Sequence, residues 1–486
     1  MKNMEKPVDI PSADTEPRRR PALLICLVAG FMTLLDVSIV TVALPSMERG
    51  LRMSPTEISW AVAGYALAFG LTLVPAGRLG DEYGRRKLFL IGLALFALTA
   101  VICGAAPNGM VLVVGRLLRG VSAGMLAPQV IGLLQQMYSG RRRGKAFGYY
   151  GATVGMSTAV GPLLGGVILQ AFGVAGGWRF VFYLSIPVVL VALAVGYRVL
   201  PADRRGRAHR LDLVGVLLLG LGVLAVMEPL LQSTGARAHP WFWLFGVGAV
   251  LLVLFVLWER RLGARDARPL VHLKVLRIRG YAVGTVIATT FYAGFTSIFL
   301  VITLYLQQGL KYTALQAALS TLVFTVVSAA AAIISGRLVY RVGRPLVVAG
   351  TAIAALGLTA VALVAHGWTG PNVALALAGP LLVAGCGCGL VISANQTLTL
   401  HEITRATAGV AAGVYETGQR IGTALGTAVA SALFFGTLAS THGDYHAAVG
   451  LGLASSAVLV GLAFLVGLVD IMRPVAIAPA PAEVVG

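Results

Sequence analysis

Three carboxylates lie deep inside apolar stretches of this 486-residue chain: Asp36, Glu228 and Glu416. Away from water an acid is costly in its charged form, while the protonated form is neutral and tolerated. Without its proton it attracts a cation or an arginine. That is the chemistry of a proton carrier. Arginines also occur within apolar runs, at Arg116, Arg119 and Arg420. Each costs at least ~2.5 kcal/mol at a bilayer centre unless paired or hydrated. Arg116 is therefore expected to face inward, where it could couple to Asp36, either as part of a relay or as a structural ion pair. Arg119 stands about 300° around the helix from it, able to share a broad face or turn to a neighbour. Glu416 and Arg420 are four residues apart on one face, so they could neutralise each other or serve a central cavity. Glu228, just before Pro229 near the end of its run, reads as an interfacial or packing group. No nucleophile, acid and metal-ligand constellation is concentrated anywhere, and no Gly-x-x-x-x-Gly-Lys phosphate loop is present. We therefore expect no enzyme, no cofactor, no metal and no ATP drive. The four cysteines all fall in apolar stretches and read as small packing residues.

The elements that must hold these groups are membrane helices. The chain is 57% apolar and 12% charged, with mean hydropathy +0.85, against about 45–50% and about 25% in soluble domains. A span needs about 20 apolar residues, and fourteen such runs occur. They are 22–43, 58–77, 88–106, 110–136, 145–171, 178–199, 211–232, 240–259, 280–306, 314–336, 345–365, 372–397, 406–436 and 446–470. With an even number, both termini lie on one side. Placing them in the cytoplasm puts thirty of the 38 Lys and Arg residues on that face, and leaves Arg49, Arg52, Arg179, Arg237 and Lys311 outside. The net charge of +19 then reports basic loops and needs no nucleic acid. The polar stretch before the first span has no apolar core of its own and reads as a tail, without a cleavable signal.

An internal repeat organises the spans. Gly77-Arg-Leu-Gly-Asp-Glu-Tyr-Gly-Arg-Arg-Lys87 follows the second span, and a degenerate echo starts 259 residues later at Gly336. Two parallel six-helix halves with two inserted spans account for this. The expected organisation is a tail 1–21, a first half 22–199, an insert 200–279, a second half 280–470 and a tail 471–486. Paired halves around a central site suit a transporter opened alternately to each side.

The residues resemble the major facilitator superfamily over nearly the whole chain. The stretch Gly77–Lys87 is similar to its loop signature, with Gly77, Asp81, Gly84, Arg85 and Arg86 in the expected places and Glu82 where a basic residue is usual. Asp81 could accept bonds from a helix N-terminus or pair with Arg85 or Arg86, latching one side shut. Arg116-Leu-Leu-Arg-Gly120 is similar to a second motif, with Arg119 replacing the usual Gln, and the resemblance implies that Arg116 belongs to a proton relay. Gly155, Gly161-Pro162 and Gly165-Gly166 resemble the glycine-proline motif of antiporters; small residues permit close packing and Pro162 breaks a backbone bond, as in a hinge. The span count, Leu35–Pro45 and Trp178–Pro187 look like the fourteen-span drug:proton antiporter family.

The resemblance implies an all-α polytopic membrane protein of the major facilitator fold, arranged 6+2+6, in the cell membrane. It implies proton-coupled efflux of drug-like or antibiotic compounds, with Asp36, Arg116, Glu416 and Arg420 coupling proton movement to a hydrophobic or cationic small molecule. The expected unit is a monomer. A dedicated exporter of one metabolite, lipid or self-made antibiotic is the alternative. Phe31, Phe291, Tyr292, Phe295, Tyr415 and Asn395 are candidate cavity groups, since aromatic rings attract cations and offer flat apolar faces.

Overall fold

The structure is a computed structural model, and it describes all residues except 1–15, 174–175, 204–211, 233–242, 265–272, 369–371, 405–406 and 473–486. The described chain is helical throughout. The first half comprises α1 (Glu16–Leu51), α2 (Pro55–Tyr83), α3 (Arg85–Gly104), α4 (Gly109–Met137), α5 (Gly140–Phe172), α6 (Trp178–Tyr183) and α7 (Ser185–Val199). The insert is α8 (Leu213–Gln232) and α9 (Trp243–Ala264). The second half is α10 (Arg279–Leu304), α11 (Ala314–Val342), α12 (Arg344–Gly367), α13 (Val373–Thr399), α14 (Ala408–Ser440) and α15 (Tyr445–Met472). α1 begins at Glu16, so the end of the expected N-terminal tail is helical; residues 1–15 and 473–486 lie outside the described residues.

Among the described residues twelve helices are long and apolar enough to span a bilayer, and thirteen if the bent α5 counts as one span. α6 and α7 form one of these, Trp178–Val199. The expected fourteen is thus not reached among the described residues, where α8 contributes the apolar stretch Val214–Pro229.

Local chemistry repeats with the same 259-residue spacing as the sequence echo. Ser54 caps α2 in a capping box with Glu57, and Thr313 caps α11 in a capping box with Gln316. Each box satisfies two orphan amides at a helix start. Between α2 and α3 the chain turns at Gly84, φ +108°, and between α11 and α12 at Gly343, φ +69°. Both are left-handed conformations that glycine adopts without a Cβ penalty. The second half has a core of its own, while the core of the first half continues across to Tyr281, Ala411 and Tyr415; α2 packs on α14 as α5 packs on α11, so the halves meet along two related seams. The insert covers the first seam: Val223 and Met227 of α8 pack against Leu67 of α2 and Ala424 and Ala428 of α14.

Candidate functional site

The first ionisable centre lies inside the first half. Asp36 of α1 is held by two arginines of α4. Arg116 donates through Nη1 to Asp36 Oδ2, and Arg119 through Nε to Oδ1 at 2.6 Å. Residues three apart on a helix lie on neighbouring faces, so both guanidinium groups reach one carboxylate. Other donors of the two arginines are also used. Arg116 Nε donates to the Ala61 carbonyl (2.9 Å), Arg119 Nη1 to the Phe96 carbonyl (2.9 Å), and Arg119 Nη2 to Ser185 Oγ (3.0 Å). Arg116 lies 4.4 Å from the Tyr65 ring centroid and Arg119 3.9 Å from that of Phe96. All three ionisable side chains are at most 3% exposed. With the carboxylate ionised, the cluster carries one net positive charge. Arg119 is the residue sequence reasoning left undecided; its sequence signal is that an unpaired arginine so deep in a span is too costly to leave without a partner.

The second centre lies where the halves meet. Glu416 of α14 is buried, and its Oε1 accepts one long bond, 3.4 Å, from Tyr150 of α5. Its other carboxylate oxygen, Oε2, has no hydrogen-bond partner. Arg420 does not form an ion pair with it among the described residues; its guanidinium lies 4.3 Å over the ring of Phe69 in α2, and its Nε has no partner. Both Tyr150 and Phe69 belong to the first half. The centre is therefore assembled across the seam from groups that are close but not locked together. Tyr150 was not foreseen, since no spacing connects α5 to α14.

Tyr292 and Tyr415 are within electrostatic reach of Glu416. Asn395 donates to the Gly284 carbonyl (2.8 Å) and lies 3.5 Å from the Tyr415 hydroxyl, while its Oδ1 has no partner. Of the candidate cavity residues, Tyr292, Tyr415 and Asn395 thus cluster near the second centre. Phe291 and Phe295 adjoin that cluster through Tyr292, whose ring meets theirs edge to face at 5.6 and 5.7 Å. They stack at 5.6 Å and are enclosed in the second half's core, where neighbouring apolar side chains cover both rings. Phe31 is half-buried against the first half's core. Glu228 is half-buried on α8, outside both halves.

The loop residues form a connection between halves. Asp81 Oδ1 accepts from Arg85 Nη2 (2.7 Å) and Nε (3.1 Å). The same carboxylate accepts from the backbone amides of Gly409 (3.0 Å) and Val410 (3.1 Å), in the first turn of α14. A carboxylate at a helix N-terminus meets its unsatisfied amides and the positive end of its dipole. Arg85 Nη1 also donates to the Gly132 carbonyl at 2.8 Å. Close approach demands glycine here, because a Cβ on Gly77 would collide with the Gly409 carbonyl. Arg86 does not join Asp81. Its amide donates to Asp203 Oδ1 (2.9 Å) and its guanidinium to the Tyr197 carbonyl. Glu82 pairs with Arg78 at 2.8 Å, so the unusual acid is absorbed within its own helix.

The repeat of this contact in the second half has different chemistry. Tyr340 of α11 stands 259 residues after Asp81. Its hydroxyl lies 3.4 Å from Arg143 Nε, and Arg143 Nη2 lies 3.0 Å from His401 Nδ1. A Cβ on Gly144 would meet the Gly336 carbonyl, so this seam is as tight as the other.

In α5 the segments Gly140–Ser157 and Val160–Phe172 are bent by 41°. Pro162 supplies the cause, since it cannot donate to the carbonyl four residues before it. Beside the bend Gly161 lies against Ser38, whose hydroxyl donates to the Ser157 carbonyl at 2.9 Å, and Gly165 against Ile39. Gly155 faces Ser328 and Thr325 of α11 at 3.7 Å, and Gly166 has open space around it. The bend is thus packed on the α1 turn that follows Asp36.

Two helical halves, with ionisable groups buried in one half and along the seam, are the build of a multi-pass membrane transporter, not of an enzyme. The chain belongs to the major facilitator superfamily, whose family model matches residues 26–427. It is 33% identical over 425 residues to a probable actinorhodin transporter of Streptomyces coelicolor, covering 87% of this chain and 74% of the relative. It is 34% identical over 436 residues to a puromycin resistance protein of Streptomyces alboniger, covering 88% and 84%. A multidrug resistance protein of Mycobacterium tuberculosis is 31% identical over 436 residues, covering 87% and 78%. Among solved structures, a proton:xylose symporter aligns with TM-score 0.68 at 14% identity, covering 95% of this chain and 97% of the other, which supports the fold alone.

Proposed function

We propose that this chain exports drug-like or antibiotic compounds across the cytoplasmic membrane in exchange for protons, by alternating access, with both termini in the cytoplasm. In this arrangement α8 completes a set of fourteen spans. The observation that carries the proposal is Glu416: a buried carboxylate on the seam, with a free oxygen beside a cation that does not pair with it. A carboxylate so placed is neutral when protonated and attracts cations when not. Protons entering from outside would neutralise Glu416, weaken its hold on a cationic or hydrophobic substrate, and favour the inward-open arrangement. Release of the proton to the cytoplasm would restore affinity. Asp81, bonded across the seam to the start of α14, would hold the cytoplasmic side closed between these steps.

The test is efflux from proteoliposomes under an imposed pH gradient. Wild type is expected to move substrate only with the gradient, and Glu416→Gln not at all. Transport unaffected by collapsing the gradient would overturn the coupling. A narrower reading, export of one self-made antibiotic, is favoured by relatives described for single compounds such as tetracenomycin C. A susceptibility screen in a pump-deficient host separates the two by the number of compounds to which resistance appears.

A further inference from the structure

A cleft away from the seam collects cations. Its volume is about 790 Å³, and it opens at the basic end between the start of α1, the end of α4 and the first turns of α5. Arg19, Arg20, Arg142 and Lys145 are among the described residues that line it. The pieces are tied together, since the Tyr138 hydroxyl donates to the Arg19 carbonyl at 3.0 Å. Burial pushes the Tyr138 hydroxyl's pKa up and the Cys26 thiol adds to that, while Arg19, Arg142 and Arg20 pull it back. The wall is also apolar in part, through Leu23 and Tyr149. Next to it Leu24 is 60% exposed, as suits a side chain against hydrocarbon.

Basic loop residues that only set topology would be spread over an open surface. Here four cations share a concave site, and along α1 Arg19 and Arg20 precede the apolar Leu23 of the same wall. That order matches the order along a phospholipid, from phosphate to acyl chain. Guanidinium groups also present donors in a fork that fits phosphate oxygens.

We infer that this cleft binds the headgroup of an anionic phospholipid, with Arg20, Arg142 and Lys145 on the phosphate and Leu23 and Tyr149 beside the first acyl carbons. Each basic side chain near a membrane surface contributes roughly a fivefold preference for anionic lipid. Removing three therefore weakens retention by about a hundredfold.

The experiment is native mass spectrometry of the full chain in neutral detergent, titrated in parallel with phosphatidylglycerol and phosphatidylcholine. Wild type is expected to retain phosphatidylglycerol preferentially. The variant Arg20→Ala/Arg142→Ala/Lys145→Ala is expected to lose that preference while melting at the wild-type temperature in phosphatidylcholine nanodiscs. If the triple variant does not fold, Arg20→Glu alone should lower phosphatidylglycerol retention. Equal retention of the two lipids by wild type would overturn the inference, as would unchanged preference in the variant. Displacement of the lipid by excess inorganic phosphate would reassign the cleft to a soluble anion and equally overturn it.

Discussion

The two halves of this transporter bury their carboxylates in opposite ways. In the first half Asp36 meets two guanidinium groups, and every remaining contact of those arginines that faces the core is to a carbonyl, a hydroxyl or a ring. In the second half Glu416 has one long bond and one free oxygen, although Arg420 stands a single helical turn away. A saturated charge cluster resists change, because losing one member strands the others in a low-dielectric interior. An unsaturated one is already balanced between alternatives. The first arrangement suits a rigid structural centre and the second suits a group that changes partners. The latches differ in the same direction: Asp81 makes charge-assisted bonds across its seam, whereas Tyr340 offers a neutral hydroxyl to Arg143.

Replacing Asp36 should break the comparison most sharply. Asp36→Asn leaves two buried cations against a neutral amide, and should cost about 3–5 kcal/mol of stability. The readout is a fall in melting temperature and in folded yield. Adding Arg119→Gln to that variant should restore part of the loss; no loss in the single variant would remove the structural role of the cluster. Next in size, Asp81→Asn should weaken closure of the basic end by about 1.5–3 kcal/mol, the range for bonds to charged groups. Spin labels on α2 and α14 would report it as a longer distance population, and an unchanged distribution would count against the latch.

Glu416→Gln sharpens the contrast from the other side. The side chain contributes little bonding, so stability should move by no more than about 1 kcal/mol while gradient-driven efflux disappears. A large destabilisation would place Glu416 with Asp36 as a structural charge. Smallest of all, Tyr340→Phe removes one long bond from a half-buried hydroxyl and should alter stability by about 0.5 kcal/mol, the low end for a neutral hydrogen bond. An effect equal to that of Asp81→Asn would show that the two seams carry the same load.

The helix boundaries were largely legible in the residues. Apolar runs, the capping pairs Ser54/Glu57 and Thr313/Gln316, and the glycines at 84 and 343 mark starts and stops through local chemistry alone. The span count was less secure. The residues of α8 are as apolar as those of its neighbours, yet among the described residues it contributes only the stretch Val214–Pro229. In the candidate site, Asp36 and Arg116 could be connected in advance because a buried arginine needs a partner. Arg86 could equally have joined Asp81, and only its contacts with Asp203 and Tyr197 show otherwise. Phe291 and Phe295 had the same credentials as Tyr292, since aromatic type and helical spacing do not say which side of a helix faces another half.

By itself the sequence determined that this is a membrane protein of repeated helices and that Asp36, Arg116, Arg119 and Glu416 are buried. Those properties follow from transfer energies and local periodicity, which each segment carries alone. Only the tertiary structure decided that Arg119 completes the clamp on Asp36, that Arg420 turns to Phe69 and leaves Glu416 open, and that Tyr150 reaches it from the other half. Those outcomes depend on how helices from distant parts of the chain pack. Small residues such as Gly77, Gly144, Gly336 and Gly409 set that packing by how closely they let backbones approach.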